Sequence, residues 1–223
     1  MASIIMEDIH KHGILYKKGA EANLYIINFL GLKAVAKHRI KKDYRDPLID
    51  HYLRRKRTIT ESQILIKAKR YGIKVPDILY VDLKNNLIIM NFIEGKLLRD
   101  VLNQGLLSGI EEERVIMQVG VEIAKLHNIN ICHGDLTTSN IILSGNNNIP
   151  FLIDFGLGGI NVRLEEKAVD LEMFYRVLES THTTKYKSYF KYFMKSYLKH
   201  VSYSSLILNR FKDIRKRGRY VKR

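Results

Sequence analysis

The tightest constraint on this chain lies in two short stretches, His133-Gly134-Asp135-Leu136-Thr137-Thr138-Ser139-Asn140 and Ile153-Asp154-Phe155-Gly156. Between them the apolar runs Ile141-Ile142-Leu143 and Phe151-Leu152-Ile153 flank a turn-rich Ser144-Gly145-Asn146-Asn147-Asn148, a pattern that predicts a β-hairpin. A hairpin returns the chain to the edge where it began, so Asn140, before the first strand, and Asp154, after the second, share one end. Asp135 lies just upstream. Two carboxylates and a carboxamide gathered in this way suit phosphoryl transfer, where positioning and charge neutralisation supply most of the rate. Asp135 stands where a side chain takes or orients the nucleophile's proton, and Asn140 and Asp154 stand where side-chain oxygens hold magnesium. Singly each has a plainer use, capping a turn or opening a loop; together, in this order and with Phe155-Gly156 attached, they favour catalysis.

Such a site needs a cation for the phosphates, and Lys37 closes a β-rich stretch in which residues 24–27 and 34–36 predict a hairpin around residues 28–33. From the end of that strand Lys37 reaches α- and β-phosphates, provided a helix supplies a carboxylate to hold it. Glu61 is the candidate. Residues 59–71 are predicted helical, and Leu65 and Ala68 share the face of Glu61. A second use stays open, since Thr58-x-x-Glu61 has the form of a capping box at a helix start. Between the first two predicted strands, Lys18-Gly19-Ala20-Glu21-Ala22-Asn23 takes the place of a glycine-rich loop over the phosphates. Gly19 alone still permits an unusual backbone conformation near a phosphate, but the loop should be stiffer, and Glu21 should add negative charge beside the nucleotide. Leu87 to Met90 resembles the strand that leads into a kinase hinge, where backbone groups of Asn91 and Ile93 would meet adenine; a plain buried strand and turn fits the same residues.

These motifs resemble those of the small atypical kinases of the KEOPS complex, which serves threonylcarbamoyl modification of tRNA adenosine. The likeness runs almost end to end. It includes Lys18-Gly19-Ala20-Glu21-Ala22, Lys37, the discriminating Tyr44-Arg45-x-Pro47-x-x-Asp50-x-x-Leu53-Arg54-x-x-Arg57-Thr58-x-x-Glu61, and the two central stretches. Lys167-Ala168-Val169-Asp170-Leu171 and the basic end with Arg217-Gly218-Arg219 complete it. Two residues after Asp135, Thr137 stands where ordinary protein kinases carry lysine. The resemblance implies ATP and Mg2+ as cofactors, ATP hydrolysis supporting tRNA modification, and some Ser/Thr autokinase activity. It also implies KEOPS partners: the ATPase-fold subunit that performs the tRNA chemistry, met by the C-lobe and basic tail, and a regulatory subunit on the N-lobe. tRNA would bind the basic surface.

The fold class expected is α+β: a two-lobed, kinase-like fold with a small β-rich N-lobe over residues 1–92, a reduced helical C-lobe over 93–209 and a basic tail over 210–223. Prolines occur only at 47, 76 and 150, so no Ala-Pro-Glu follows Asp154, and what remains reads as helices over 165–178, 185–200 and 204–215. The usual activation segment and peptide platform are missing. Asp170 either anchors the catalytic-loop backbone or faces solvent. The net charge of +15 is concentrated in residues 41–70 and at the end, where Arg210 to Arg223 holds eight Lys or Arg against Asp213, as suits a phosphate backbone. A solvated terminus would read the same way. Tyr186, Tyr189, Phe190, Phe193 and Tyr197 are assigned to packing, because Phe190, Phe193 and Tyr197 recur at helical spacing. The single cysteine, Cys132, is expected to be an inert core thiol in a reducing cytoplasm. No signal or membrane segment is expected. Two rivals stand beside the ATPase reading: a small-molecule phosphotransferase, which would need a larger C-lobe, and a non-catalytic ATP-sensing scaffold for tRNA and partners.

Overall fold

The computed structural model describes residues 6, 7, 9 and 11–220, with side chains as far as Arg217. The N-lobe is an antiparallel sheet in the order β1-β2-β3-β5-β4, built from β1 (Ile14–Lys18), β2 (Asn23–Phe29), β3 (Leu32–His38), β4 (Ile78–Asp82) and β5 (Leu87–Asn91). The β2–β3 hairpin is longer than predicted. Phe29 pairs with Leu32, so Lys33 lies within a strand and the turn is Leu30-Gly31. Both turn residues have positive φ, 52° and 83°, the tight-hairpin requirement that glycine meets without strain. Along β3, Ala34 and Ala36 pack with Ile9, Leu87 and Ile89 in the sheet's own core, and strand alternation sends Lys37 to the other face.

Between β3 and β4 runs α1 (Pro47–Arg70), which starts at Pro47 instead of residue 59. Asp46 caps it by accepting the N–H groups of Leu48 and Ile49, and Pro47 occupies the first turn. The predicted start was late because Arg54, Arg55, Lys56 and Arg57 interrupt the apolar periodicity of the first half. Further along, Ile64, Leu65 and Ala68 are buried, and they join the C-lobe core with Leu126, Phe155 and Phe174. Polar bonds reinforce the join: Lys67 Nζ donates to the Ile129 carbonyl at 3.2 Å, and the Leu152 N–H to the Lys74 carbonyl at 2.8 Å. The second half of α1 is therefore fixed to the C-lobe.

In the C-lobe, β6 (Gly95–Leu97), β8 (Ile141–Ser144) and β9 (Ile149–Leu152) form a three-stranded sheet, and β7 (Ile131–Cys132) pairs with β10 (Gly159–Ile160). Its helices are α2 (Leu98–Asn103), α3 (Gly109–Asn128), α4 (Leu164–Thr181), α5 (Tyr186–His200) and α6 (Ser204–Tyr220). α3, which is not among the predicted elements, begins at a capping box formed by Ser108 and Glu111. Of the spaced aromatics in α5, Phe193 and Tyr197 are buried in the core and Phe190 is half-buried against it, while Tyr189 joins the buried set; the Phe193 and Tyr197 rings stack at 5.7 Å. α6 runs beyond the predicted residue 215 and lies along α4. Arg210 pairs with Glu165, Arg215 with Glu172 at 3.5 Å, and Arg217 with Glu165 at 3.7 Å. Part of the terminal charge is thus matched within the C-lobe; the Arg219 side chain, Lys222 and Arg223 lie outside the described residues. Among the described residues no helix is long and apolar enough to cross a membrane.

Candidate active site

The predicted hairpin is β8–β9, with Ile141 opposite Leu152. Its open end is pinned by the Ile153 N–H on the Asn140 carbonyl at 3.0 Å, so Asn140 and Asp154 do share one edge. The loop before it hangs from Asp170 of α4, which is 1% exposed and accepts the N–H groups of His133 at 2.5 Å and Gly134 at 2.8 Å. Asp170 is therefore an anchor and not a solvent-facing charge. Behind it, His127 Nε2 lies 3.3 Å from the Asp170 carboxylate and His127 Nδ1 lies 2.7 Å from the Tyr197 hydroxyl. Burial first, and then the Asp170 charge, push Tyr197 far above the ordinary phenol range. Tyr197 thus keeps its proton and donates it to Nδ1, leaving Nε2–H to face Asp170.

His133 is fully buried, its ring 4.6 Å from that of Phe155. Burial holds its imidazole below the usual histidine range. The neutral ring fits both neighbours: Nε2–H donates to the Ile153 carbonyl at 3.1 Å and Nδ1 accepts the Asp135 N–H at 3.3 Å. Gly134 has φ of +76°, and a Cβ there would sit 2.0 Å from the Leu157 carbonyl oxygen. Only glycine fits, because the chain after Asp154 packs directly on the loop. Asp135 is half-buried and accepts Asn140 Nδ2 on Oδ2 at 2.9 Å; the same amide also reaches the Asp135 carbonyl at 2.9 Å.

Across the cleft, Lys37 Nζ lies 2.8 Å from Glu61 Oε1 and 2.7 Å from Asp154 Oδ1. The capping alternative for Glu61 falls away: it sits in the middle of α1, 1% exposed, and its carboxylate is spent on tertiary partners. Oε1 also accepts the Phe155 N–H at 3.2 Å, and Oε2 takes Arg39 Nη2. Arg39 was not predicted. It is legible in hindsight as the second base, two residues after Lys37, on the same side of an extended chain. Asp154 adopts φ of +62°; burial tends to raise its pKa, but the Lys37 charge and hydrogen bond outweigh this and hold it at about 2. Cys132, buried beside the loop, has its thiol pushed up to about 11 chiefly by burial, as befits an inert thiol.

Among the described residues no cluster of three or more His, Cys, Asp or Glu is placed to hold a metal ion. The expected donors are a carboxamide and a carboxylate, and they fit a hard divalent cation. Asn140 spends its Nδ2 on Asp135, which leaves Oδ1 as a ligand, and Asp154 is ionised with only Oδ1 on Lys37. The remaining predicted positions lie at strand ends and turns of the N-lobe sheet and just after it. Asn91 ends β5, and its side-chain Oδ1, not its carbonyl, accepts the Asp77 N–H at 2.6 Å; Ile93 follows in the connection to β6.

Lys18 ends β1, and Ala20 is exposed in the turn to β2. Gly19 does not use that freedom, having no positive φ; its need for glycine comes from the Ala22 carbonyl, 2.7 Å from where a Cβ would stand. Nor does Glu21 present a bare charge. It accepts Arg45 Nη2 at 2.8 Å and Arg57 Nη1 at 2.6 Å, and the Arg45 hydrogen bond, above all, lowers its pKa. Those two guanidiniums clasp the loop to α1 and the segment before it.

A sequence-family model described as the protein kinase domain matches residues 23–193. Over 217 residues the chain is 41% identical to the KEOPS complex subunit Bud32 of Pyrococcus abyssi, covering 94% of this chain and 97% of that protein. It is 37% identical over 210 residues to the EKC/KEOPS complex subunit bud32 of Dictyostelium discoideum, covering 93% and 83%. A third relative, the probable bifunctional tRNA threonylcarbamoyladenosine biosynthesis protein of Methanocaldococcus jannaschii, is 38% identical over 207 residues, 93% of this chain and 37% of that longer protein.

Proposed function

The chain belongs to the protein kinase family, within its Bud32 group of KEOPS subunits, and from that premise we propose that it hydrolyses ATP in support of threonylcarbamoyladenosine formation on tRNA. The observation that carries the reading is the Lys37 ammonium held between Glu61 and Asp154, at 2.8 and 2.7 Å, facing a cleft whose other wall bears Asp135 and Asn140. Lys37 takes the α- and β-phosphates, and Glu61 orients it. The Asn91 carbonyl and Ile93 N–H meet the adenine edge, and Lys18 to Glu21 cover the phosphates. Asn140 and Asp154 hold Mg2+, which when bound neutralises charge on the phosphate oxygens. Asp135 orients the attacking water, or a serine or threonine hydroxyl, and receives its proton; the Asn140 amide on Oδ2 fixes the carboxylate's rotation. With ammonium, carboxamide and carboxylates pre-positioned, little reorganisation remains for the reaction itself.

Water is the favoured nucleophile, because Thr137 stands where a protein kinase has lysine and only residues 157–163 separate Gly156 from α4. Ser/Thr protein phosphorylation is a secondary capacity. KEOPS subunits are its partners, with the ATPase-fold subunit on the C-lobe and basic end and a regulatory subunit on the N-lobe; tRNA lies on the basic surface, and the setting is cytoplasmic. The test is ATP hydrolysis by the purified chain alone, with partner subunits, and with partners plus tRNA. Turnover raised by partners and tRNA together is expected. No hydrolysis in any arm would leave only a nucleotide-binding scaffold, and turnover raised by a small-molecule acceptor instead would make it a phosphotransferase of another kind.

A further inference from the structure

We infer that Arg39 is a positioning residue that keeps Glu61, and with it α1, in register whether or not Lys37 is engaged by phosphate. This rests on the ATP-site reading above. Lys37 serves two carboxylates at once, Glu61 and Asp154. Nucleotide and cation binding would draw Lys37 and Asp154 toward the phosphates, and a Glu61 that relied on Lys37 alone would become a buried, unpaired charge. Proteins pay heavily for such a charge, which is enough to push a helix away from the cleft.

The arrangement around Arg39 removes that dependence. Arg39 is 2% exposed, pairs through Nη2 with Glu61 Oε2, and reaches the Thr58 hydroxyl through Nη1 at 3.3 Å. Thr58 and Glu61 are three positions apart on α1, so one planar guanidinium grips adjacent sites on one helix face, a geometry lysine does not reproduce. The root of the side chain is fixed too, by the Arg39 N–H on the Asn86 carbonyl at 3.1 Å. At the far side, Nη2 lies 3.2 Å from where a Cβ on Gly156 would stand. The same Glu61 that Arg39 holds accepts the Phe155 N–H at 3.2 Å, so the grip extends to the segment carrying Asp154. With Ile64, Leu65 and Ala68 packed in the C-lobe core, α1 is held both by its charge and by its apolar face. The Lys37–Glu61 pair is then permanently assembled and needs no switch to form it.

The experiment compares Arg39→Met and Arg39→Lys with the wild-type chain by ATP hydrolysis and by amide hydrogen exchange without nucleotide. For methionine, kcat should fall by about tenfold or more while KM for ATP moves by less than about threefold, because Arg39 places the catalytic ammonium without touching nucleotide. Exchange at Phe155 should rise by about tenfold or more, with β8 and β9 unchanged. Lysine should recover part of kcat. Wild-type kcat and Phe155 exchange in the methionine variant, or a lysine variant no better than methionine, would overturn the inference. Should the methionine variant not fold, Thr58→Val removes the second acceptor, along with the hydroxyl's own bond to the Arg54 carbonyl within α1 at 2.8 Å, and there a Phe155 exchange rate no faster than wild type would overturn it. If the wild-type chain hydrolyses no ATP, the functional reading fails while the exchange result still decides the role of Arg39.

Discussion

Replacing Asp170 with asparagine tests whether one buried carboxylate holds the catalytic loop. Asp170 receives the His133 N–H at 2.5 Å, the Gly134 N–H at 2.8 Å and His127 Nε2 at 3.3 Å. Asparagine keeps the shape but offers one acceptor oxygen, and it turns an NH2 group toward one of the main-chain donors. A lost bond to a charged acceptor is worth about 1.5–3 kcal/mol, and a buried N–H left without an acceptor costs about 1–3 kcal/mol. These overlap in part, so the sum is near ~3 kcal/mol. For a chain of this size, at about 2–4 °C per kcal/mol, the unfolding midpoint should fall by roughly 6–12 °C. Turnover should fall further than stability suggests, since Asp135 follows Gly134 directly and a displacement near 1 Å is worth about a hundredfold in rate.

Thermal melts of both proteins across a pH series, with ATP hydrolysis at neutral pH, make the measurement. Burial works to raise the Asp170 pKa, but the His127 bond and neighbouring donors outweigh it, and the net direction is down. The carboxylate's contribution is thus complete above the ordinary aspartate range of about 4 and is lost as pH falls through its lower folded value. The gap between wild type and variant should be flat at neutral pH and narrow only in acid. A midpoint within about 2 °C of wild type, together with undiminished turnover, would refute the anchor.

Three further outcomes can be measured. Gly134→Ala should cost several kcal/mol and abolish turnover, because it combines left-handed backbone with a Cβ 2.0 Å from the Leu157 oxygen; a wild-type melt would show that the loop relaxes freely. The His133 ring should stay neutral when pH falls past the ordinary histidine value, as read by NMR titration of its ring nitrogens. Its folded pKa is depressed, so the unfolded chain takes up that proton first and stability declines as pH drops below about 6.5; titration at or above that value would contradict the buried neutral ring. Cys132 should resist iodoacetamide at pH 8 in the native protein and react fully in denaturant, and rapid native alkylation would count against the packing described.

Much of the cleft was legible because its chemistry is local in sequence. Asp135, Asn140 and Asp154 are tied by one hairpin, and periodicity alone placed Glu61 on the inward face of α1. What stayed hidden depends on distant chain segments. Arg39 acquires meaning only when β3 meets α1, and Glu21 reads as a bare negative charge until Arg45 and Arg57 fold over it. Asp170 stayed ambiguous for the same reason, as its donors lie 36 and 37 positions away. The late start assigned to α1 has another cause: a basic, solvated first half hides the apolar stripe, whereas the Asp46-Pro47 start signal carried the correct boundary. α3 was missed although Ser108 and Glu111 mark its beginning.

The two-residue ladder between β7 and β10 has a kinetic consequence. Gly159 and Ile160 pair with Cys132 and Ile131, so the strand leading into the loop of Asp135 and the strand leading away from Asp154 are stitched together a few residues from both. A long tether would let one side fray while the other stayed put. Here the floor of the cleft should loosen as a single cooperative unit, with amides on both sides exchanging at one shared rate. Only residues 157–163 lie between Gly156 and α4, so little chain is left there that could open independently of this ladder.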